Sequence, residues 1–288
     1  MRFKYKINLV LLIIIVILPL AALFYYRKTH PKYIPPPPRQ EINITIIPGW
    51  DLRDIAADWI KKGLIKTPEE LYNLVGQPAY NYSAYKKIAP DLNLVDASGT
   101  QQYSLLATKP KNISYEGFLY PDTYRVYADA KPVDVLKKVF SNLENKITPD
   151  MRAEITRQGK SFYDVLILAS VVEKEAPSNK DMGMVADIFE RRLNKNWALQ
   201  SCATVNYITG KHDPAASGTD KSIDSLFNTY KYPGLPLGAI SSPSVNAIQA
   251  VLYPIKNNYW YFMAGTDGVT HYATTLDEHN INVAKYLR

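Results

Sequence analysis

The longest apolar stretch of the chain lies at its N-terminus. Residues 9–26 carry no charge, and extension back to Ile7 gives 20 residues, or about 30 Å of helix, enough to cross a hydrocarbon core. A cleaved signal peptide is the alternative. Its apolar region would be unusually long, however, and Ala21 and Ala22 are followed by Leu, Phe and two Tyr instead of a small-residue cleavage site. The pattern therefore predicts an uncleaved transmembrane anchor within residues 1–28.

A proline-rich segment follows this predicted anchor. Residues 29–40 contain four consecutive prolines at 35–38, which favour an extended polyproline II conformation. Twelve such residues span up to about 35 Å, so this segment is predicted to be a linker that holds the next domain away from the bilayer. Lys and Arg flank both ends of the apolar stretch, so the positive-inside rule does not decide its orientation.

After the linker, the pattern is that of a small folded unit. Alternation of Ile with polar residues over 42–46 indicates a half-buried strand, and apolar residues over 55–60 have helical spacing. A capping box from Thr67, with Pro at the first helical position, begins a second helix that ends at Gly76. We interpret residues 41–110 as an accessory lobe whose polar, Tyr-rich second half gives no clear element.

Residues 111–288 give the strongest periodic signals. Two helices are predicted over 132–146 and 149–158. A very apolar helix follows a capping box at Ser161 and ends before Pro177, and another helix follows a capping box at Ser178. The last predicted elements are a hairpin of 259–264 with 269–275 and a final helix capped by Thr275. Helices followed by a hairpin, without strand–helix–strand alternation, predict an α+β fold.

The charge distribution argues against nucleic acid as a partner. The chain has 34 basic and 27 acidic residues, a formal net charge of +7. Residues 1–40 hold seven of the basic residues and no acidic residue, so the remainder is formally neutral. The basic excess therefore belongs to the N-terminal segment and does not imply a phosphate-binding surface.

Several common catalytic motifs are missing from the sequence. It contains no G-x-S-x-G, H-E-x-x-H, G-x-x-x-x-G-K-[ST] or G-x-G-x-x-G. The single cysteine, Cys202, excludes an intramolecular disulfide and a multi-cysteine metal site, and it is expected to be a small buried residue more often than a nucleophile. For His271 and His279, hydrogen bonding within the hairpin is favoured over metal ligation.

The end of the very apolar helix carries the residue best suited to acid catalysis. At 100° per residue, Glu175 lies within about 20° of Leu168 on the core-facing stripe, whereas Glu173 lies about 160° away from Glu175 and faces outward. Burial among aliphatic side chains and the negative end of the helix dipole should both raise the pKa of Glu175, as a general acid requires. The alternative is an ion pair with Arg191 or Arg192 that only joins two helices.

Six motifs in order resemble the MltG (YceG-like) family of endolytic murein transglycosylases. They are EGFLYPDTY (116–124), LASVVEKEA (168–176), RRL with LQSCATV (191–205), NTY (228–230), GLPLGAISSP (234–243) and YFMAGTDGVTHYATTLDEHN (261–280). The resemblance implies cleavage within peptidoglycan glycan strands near the membrane, which limits the length of nascent strands. It also implies that residues 111–288 form the catalytic domain and that residues 41–110 include a LysM-like lobe.

The resemblance also assigns residues, partners and location. The second Glu of the EKE motif, Glu175, matches the catalytic acid of the family, in agreement with the helical wheel. Gln200, Thr204, Asn228 and Tyr230 are candidates for binding acetamido and hydroxyl groups, although each is equally suited to organise a loop. No metal or organic cofactor is implied. Peptidoglycan synthases are candidate partners, and the expected location is the cytoplasmic membrane, as a single-pass protein with its catalytic domain on the periplasmic or extracytoplasmic side.

Two departures from the family pattern keep other functions open. Many members read LQTDPTV where this chain has LQSCATV (199–205), so an Asp is missing, and Leu237 replaces the second Pro of GLPPG. A lytic transglycosylase that forms 1,6-anhydro ends is the favoured reading. A muramidase that uses water and a catalytically weak, glycan-binding scaffold of the wall-synthesis machinery are the alternatives.

Overall fold

The computed structural model describes residues 13–30, 37–82, 89–92, 94, 103–211 and 216–287, and the chain divides into two compact units, 1–39 and 40–288. In the first unit, a π-helical turn at Ile13–Ile17 leads into helix α1 (Leu18–Thr29). Residues 7–12 of the predicted anchor lie outside the described residues. Within the described part of the chain, no helix has both the length and the hydrophobicity of a membrane span.

The second unit begins with a strand–helix–helix segment that a distant strand completes. Strand β1 (Glu41–Ile46) is followed by α2 (Leu52–Lys61) and α3 (Pro68–Val75). Strand β2 (Asp122–Tyr127) pairs antiparallel with β1, from Glu41 opposite Tyr127 to Ile46 opposite Asp122. This pairing crosses residue 110, where the sequence suggested the lobe ends, and that division of the chain stays a prediction.

Both helices predicted in this segment are found, and their N-termini are capped differently. Asp51 caps α2 in a full capping box with Asp54. Thr67 precedes α3 and Pro68 is its first residue, but the Thr67 side chain makes no capping hydrogen bond. Glu70 instead accepts from the Lys66 backbone N–H at 3.2 Å, so the predicted capping box does not form.

A helical body follows and contains most of the core. The helices are α4 (Pro132–Lys146), α5 (Pro149–Arg157), α6 (Phe162–Glu175), α7 (Asn179–Asn194), α8 (Cys202–Thr209), α9 (Gly218–Lys221) and α10 (Val245–Leu252). Helix α6 is buried along most of its length and packs against both α7 and α10. The predicted α4–α7 are confirmed, whereas α8, α9 and α10 were not predicted.

The C-terminal hairpin and helix are confirmed. Strand β3 (Tyr261–Ala264) pairs antiparallel with β4 (Thr270–Ala273), and Thr275 and Glu278 form a capping box for α11 (Leu276–Tyr286). His271 hydrogen-bonds Asp267 within the hairpin at 3.0 Å, as expected. For His279 the same expectation is wrong, because this residue lies on α11 and its buried Nδ1 has no hydrogen-bond partner among the described residues. Two small antiparallel sheets beside a helical body define a mixed α+β fold, as the sequence predicts.

Candidate active site

A polar cleft of about 310 Å³ lies between the strand–helix–helix segment and the helical body of the second unit. One wall is the corner between β1 and α2, and the other is the end of α6 together with α8. The residues that line it are Gly49, Asp51, Arg53, Asp54, Lys174, Glu175, Cys202, Ala203, Asn206, Tyr207, Gly210, Lys211 and Ile240. The cleft therefore contains the residue that the sequence singles out as an acid.

Glu175 is half-buried as the last residue of α6, and its carboxylate faces the start of α8. One carboxylate oxygen, Oε1, accepts hydrogen bonds from the Ser201 hydroxyl and from the Ala203 backbone N–H, the latter at 3.3 Å. Ser201 is the residue before α8 and Ala203 is its second residue. The acid is therefore oriented by donors at a helix N-terminus, where backbone N–H groups are free to bind oxygen.

The surroundings of Glu175 favour its protonated form. Burial raises the pKa of its carboxyl above the ordinary value, and the hydrogen bonds from Ser201 and Ala203 and the positive charge of Arg192 oppose this effect. A raised pKa keeps a larger share of the group protonated near neutral pH, and a general acid needs that form.

The two arginines that the sequence offered as ion-pair partners of Glu175 bind elsewhere. Arg191 pairs with Asp187 at 3.0 Å. Arg192 donates to the carbonyl oxygens of Leu199 and Trp260, the first at 2.6 Å. Arg192 therefore affects Glu175 through its charge and holds the loop that leads to α8.

The other glutamate of the EKE motif has a structural contact. Glu173 was expected to face outward, but it is half-buried and accepts hydrogen bonds from the Ser244 N–H at 2.9 Å and the Ser244 hydroxyl at 2.6 Å. Ser244 is the N-cap of α10, so Glu173 joins α6 to α10. Between them, the Lys174 ammonium donates to the Gly49 carbonyl oxygen at 3.2 Å and joins α6 to the opposite wall of the cleft.

The predicted substrate-binding residues fall into an accessible pair and a buried pair. Gln200 is exposed, with a left-handed backbone (φ +55°), and Tyr230 is half-buried with its hydroxyl 3.0 Å from the Cys202 sulfur. Thr204 and Asn228 are fully buried. Their side chains hydrogen-bond within the protein: the Thr204 hydroxyl donates to the Ser201 carbonyl oxygen at 2.8 Å, and the Asn228 amide donates to the carbonyl oxygens of Lys221 and Ile223.

Sequence reasoning did not identify most of the cleft wall. Ser201 and Ala203 lie inside the LQSCATV motif. Their contact with Glu175 depends on the C-terminus of α6 lying against the N-terminus of α8, which the sequence does not show. Cys202 lines the cleft instead of being fully buried. No sequence pattern indicated that Arg53 lines the cleft, because it lies more than 100 residues before Glu175 in the sequence.

Comparison with known proteins identifies the family. Residues 30–285 match the YceG-like family, so the chain belongs to that family, as the six motifs suggested. A Bacillus subtilis protein named endolytic murein transglycosylase is 34% identical over 62% of this chain and 50% of its own length. A Streptococcus pneumoniae (strain D39) protein of the same name is 31% identical over 60% of this chain and 32% of its own. The chain thus spans half or less of these relatives.

A solved structure agrees with the family assignment. The crystal structure of a YceG-like protein from Listeria monocytogenes is 29% identical and superposes with a TM-score of 0.67. The match covers 90% of this chain and 80% of that one. The α+β arrangement described above is therefore shared with a member of the same family.

Proposed function

We propose that this protein is a membrane-anchored endolytic lytic transglycosylase of peptidoglycan. The observation that carries the proposal is the position of Glu175, an acid with a raised pKa in a polar cleft, oriented by two hydrogen-bond donors. The relatives named endolytic murein transglycosylase support this choice of substrate.

One carboxyl group suffices for the reaction. Glu175 gives its proton to the glycosidic oxygen between N-acetylmuramic acid and N-acetylglucosamine while the bond from C1 to that oxygen breaks. The C6 hydroxyl of the same muramic acid then attacks C1, and its proton passes to the Glu175 carboxylate. The acid is restored, no water is consumed, and the new end is a 1,6-anhydro sugar. An intramolecular nucleophile is effective because it is held close to the reacting carbon.

A hydrolytic muramidase would need a second carboxylate as base or nucleophile. Among the residues that the structure describes, two further carboxylates line the cleft, Asp51 and Asp54, but both cap α2. Asp51 also pairs with Arg53 at 2.6 Å. These bonds hold the two carboxylates at the start of α2, and this favours the lytic reaction over the hydrolytic alternative.

Digestion of purified peptidoglycan, with products identified by mass spectrometry, tests the proposed function. The expected products end in 1,6-anhydro-N-acetylmuramic acid, one water lighter than the products of hydrolysis. Reducing ends would assign a muramidase. Binding to glycan strands without any product would assign the scaffold function.

We further propose how the predicted substrate-binding residues act. Gln200 and Tyr230 are accessible, and we assign them direct contacts with the acetamido and hydroxyl groups of the sugars. Thr204 and Asn228 would serve the site through the loops that they hold, the alternative that the sequence left open.

Replacement of Gln200 by Gly separates binding from folding. Glycine adopts a left-handed backbone without strain, so the free energy of unfolding should stay equal or rise by up to about 1 kcal/mol. Loss of a side-chain hydrogen bond to the sugar should lower kcat/KM by about tenfold. Asn196→Gly is the matched control, because Asn196 is also exposed with φ +55°. Equal activity of the two variants would remove Gln200 from the substrate contacts.

Replacement of Ser201 by Ala tests the electrostatics of the acid. The Ser201 hydroxyl bond lowers the pKa of Glu175, so its removal should raise that pKa further. The acid form then persists to higher pH, and the alkaline limb of the pH–rate profile should move upward, with kcat lowered by about tenfold because the carboxyl is less well oriented. Ser178→Ala, at the N-cap of α7, is the control and should leave the limb in place. A downward shift would contradict the assignment.

The finer features of location and binding complete the proposal. We propose that residues 7–26 form a single-pass anchor in the cytoplasmic membrane, with the catalytic domain outside and residues 29–40 as spacer. We also propose that β1, α2 and α3 belong to a LysM-like lobe that contacts glycan; its first corner contributes Gly49 and Arg53 to the cleft. Peptidoglycan synthases remain proposed partners.

A further inference from the structure

Glu116, the first residue of the EGFLYPDTY motif, is a buried acid that the proposed reaction does not use. Its side chain is 2% exposed. One carboxylate oxygen, Oε2, accepts hydrogen bonds from the Leu52 backbone N–H at 3.2 Å and from the Tyr207 hydroxyl at 3.0 Å. Among the residues described, Oε1 is buried without a hydrogen-bond partner.

The charges around Glu116 favour the neutral acid. Burial raises its pKa well above the ordinary value, and the nearby Asp51 carboxylate raises it further, whereas the bonds from Leu52 and Tyr207 and the charge of Arg53 oppose this. Tyr72 also interacts with Glu116, and because burial raises the pKa of Tyr72, its hydroxyl stays neutral. Near neutral pH, Glu116 is therefore an uncharged acceptor, similar in size and charge to glutamine.

The partners of Glu116 belong to the two opposite walls of the cleft. Leu52 is the first residue of α2, and Tyr207 is on α8 and lines the cleft. Arg53 joins the same walls a second time, since its guanidinium donates to the Tyr207 carbonyl oxygen at 2.7 Å and lies 5.2 Å from the centre of the Tyr207 ring. The Tyr207 hydroxyl also accepts from the Ala79 N–H at 2.8 Å.

We propose that Glu116, acting through Tyr207, is a positioning residue for the proposed reaction. It fixes the corner between β1 and α2 against α8, and so sets the distance between the wall that carries Arg53 and the wall that carries Glu175. Helix α8 also supplies the Ala203 N–H that orients Glu175, so a shift of Tyr207 reaches the acid along a single eight-residue helix. This inference rests on the proposed function.

A purely structural role explains this arrangement less well. A buried acid with one unpaired oxygen is unfavourable relative to a fully satisfied or apolar side chain. Unfavourable groups of this kind persist where they serve a site, because a small displacement of reacting groups lowers the rate strongly.

Four variants of the full-length chain test the proposal. Glu116→Gln keeps an uncharged acceptor, Glu116→Ala removes it, and Tyr207→Phe removes the hydroxyl that donates to it. Tyr124→Phe is the matched control, because it removes a buried hydroxyl that donates to the Tyr120 carbonyl oxygen in a part of the fold that does not line the cleft. The first readout is kcat and KM on soluble glycan strands.

The expected kinetic result separates positioning from stability. Glu116→Gln should stay within about threefold of the unmodified protein, whereas Glu116→Ala and Tyr207→Phe should lose about 10- to 100-fold in kcat with little change in KM, once scaled to the folded fraction. Tyr124→Phe should lose stability without a change in kcat. A kcat that stays unchanged in Glu116→Ala would overturn the proposal.

A second readout does not depend on activity. Cys202 is the only cysteine of the chain and lines the same cleft, so its rate of reaction with a thiol reagent reports the position of the walls. Glu116→Ala and Tyr207→Phe should change this rate by more than about threefold, and Glu116→Gln and Tyr124→Phe should not. The two claims fail separately. An inactive unmodified protein would reject the proposed function, whereas an unchanged labelling rate in Glu116→Ala would reject the coupling between the two walls of the cleft.

Discussion

Replacement of Glu175 by Gln should reduce the turnover of peptidoglycan by at least about 10³-fold. The amide keeps the size of the side chain and can still accept from Ser201 and Ala203, but it has no proton to give to the glycosidic oxygen. Positioned acid–base catalysis contributes about 10²- to 10⁴-fold, and Glu175 performs both proton transfers of the proposed mechanism. The measurement is the rate of release of anhydro-ended products.

The same motif offers the control. Glu173→Gln makes the identical change two residues earlier, at a side chain that binds Ser244 instead of lining the cleft. One acceptor for Ser244 is retained, so this variant should keep activity within about threefold. Equal losses in both variants would mean that the EKE segment matters for folding and not for proton transfer.

Glu175→Gln should also change stability in a pH-dependent way. Because burial raises the pKa of Glu175, the folded protein binds this proton more tightly than the unfolded chain does. The free energy of unfolding therefore falls as the pH rises from the pKa of Glu175 in the unfolded chain to its higher pKa in the folded protein. Gln carries no such penalty, so the variant should gain stability relative to the unmodified protein as the pH rises. Urea denaturation at acidic and neutral pH measures the difference.

Replacement of Gly117 by Ala should lower the free energy of unfolding by about 3 kcal/mol. Gly117 has φ +83°, and an added Cβ would lie 2.5 Å from the Cβ of Ala239 and 3.3 Å from the Ser241 carbonyl oxygen. The left-handed backbone costs about 1–2 kcal/mol for a residue with a Cβ, and overpacking adds about 1–3 kcal/mol. Two of the six motifs therefore pack directly against each other at this glycine. Urea denaturation measures the loss.

Two further variants separate the backbone cost from the clash. Gly159→Ala is the matched control, because Gly159 has φ +65° but an added Cβ meets no atom within 4 Å; it should lose only about 1 kcal/mol. The double variant Gly117→Ala with Ala239→Gly should recover the part due to the clash. No recovery, or a loss at Gly117 equal to that at Gly159, would show that close packing is not the reason for this glycine.

Local patterns predicted the elements well because their causes are local. The capping boxes at Ser161 and Thr275 place the starts of α6 and α11 where they are found. The helical wheel correctly predicted that Glu175 faces inward for the same reason, because the direction of a side chain follows from its position in a regular helix.

Contacts between distant segments could not be predicted in this way. The pairing of β1 with β2 joins residues about 80 positions apart, and nothing in either strand specifies its partner. The outward-facing position predicted for Glu173 was wrong, because α10 packs against α6 and the half-buried side chain binds Ser244. Motif membership likewise did not show which polar side chains face the cleft: Thr204, on α8, and Asn228, in the loop after α9, are both buried.

Digestion of peptidoglycan in ¹⁸O-labelled water, with the unmodified protein beside Glu175→Gln, tests the central claim most directly. If Glu175 alone transfers the proton and the C6 hydroxyl is the nucleophile, the new muramic acid ends are anhydro sugars without ¹⁸O, and they are absent from the Glu175→Gln digest. Incorporation of ¹⁸O at new reducing ends, or anhydro ends that persist in the variant, would contradict the account.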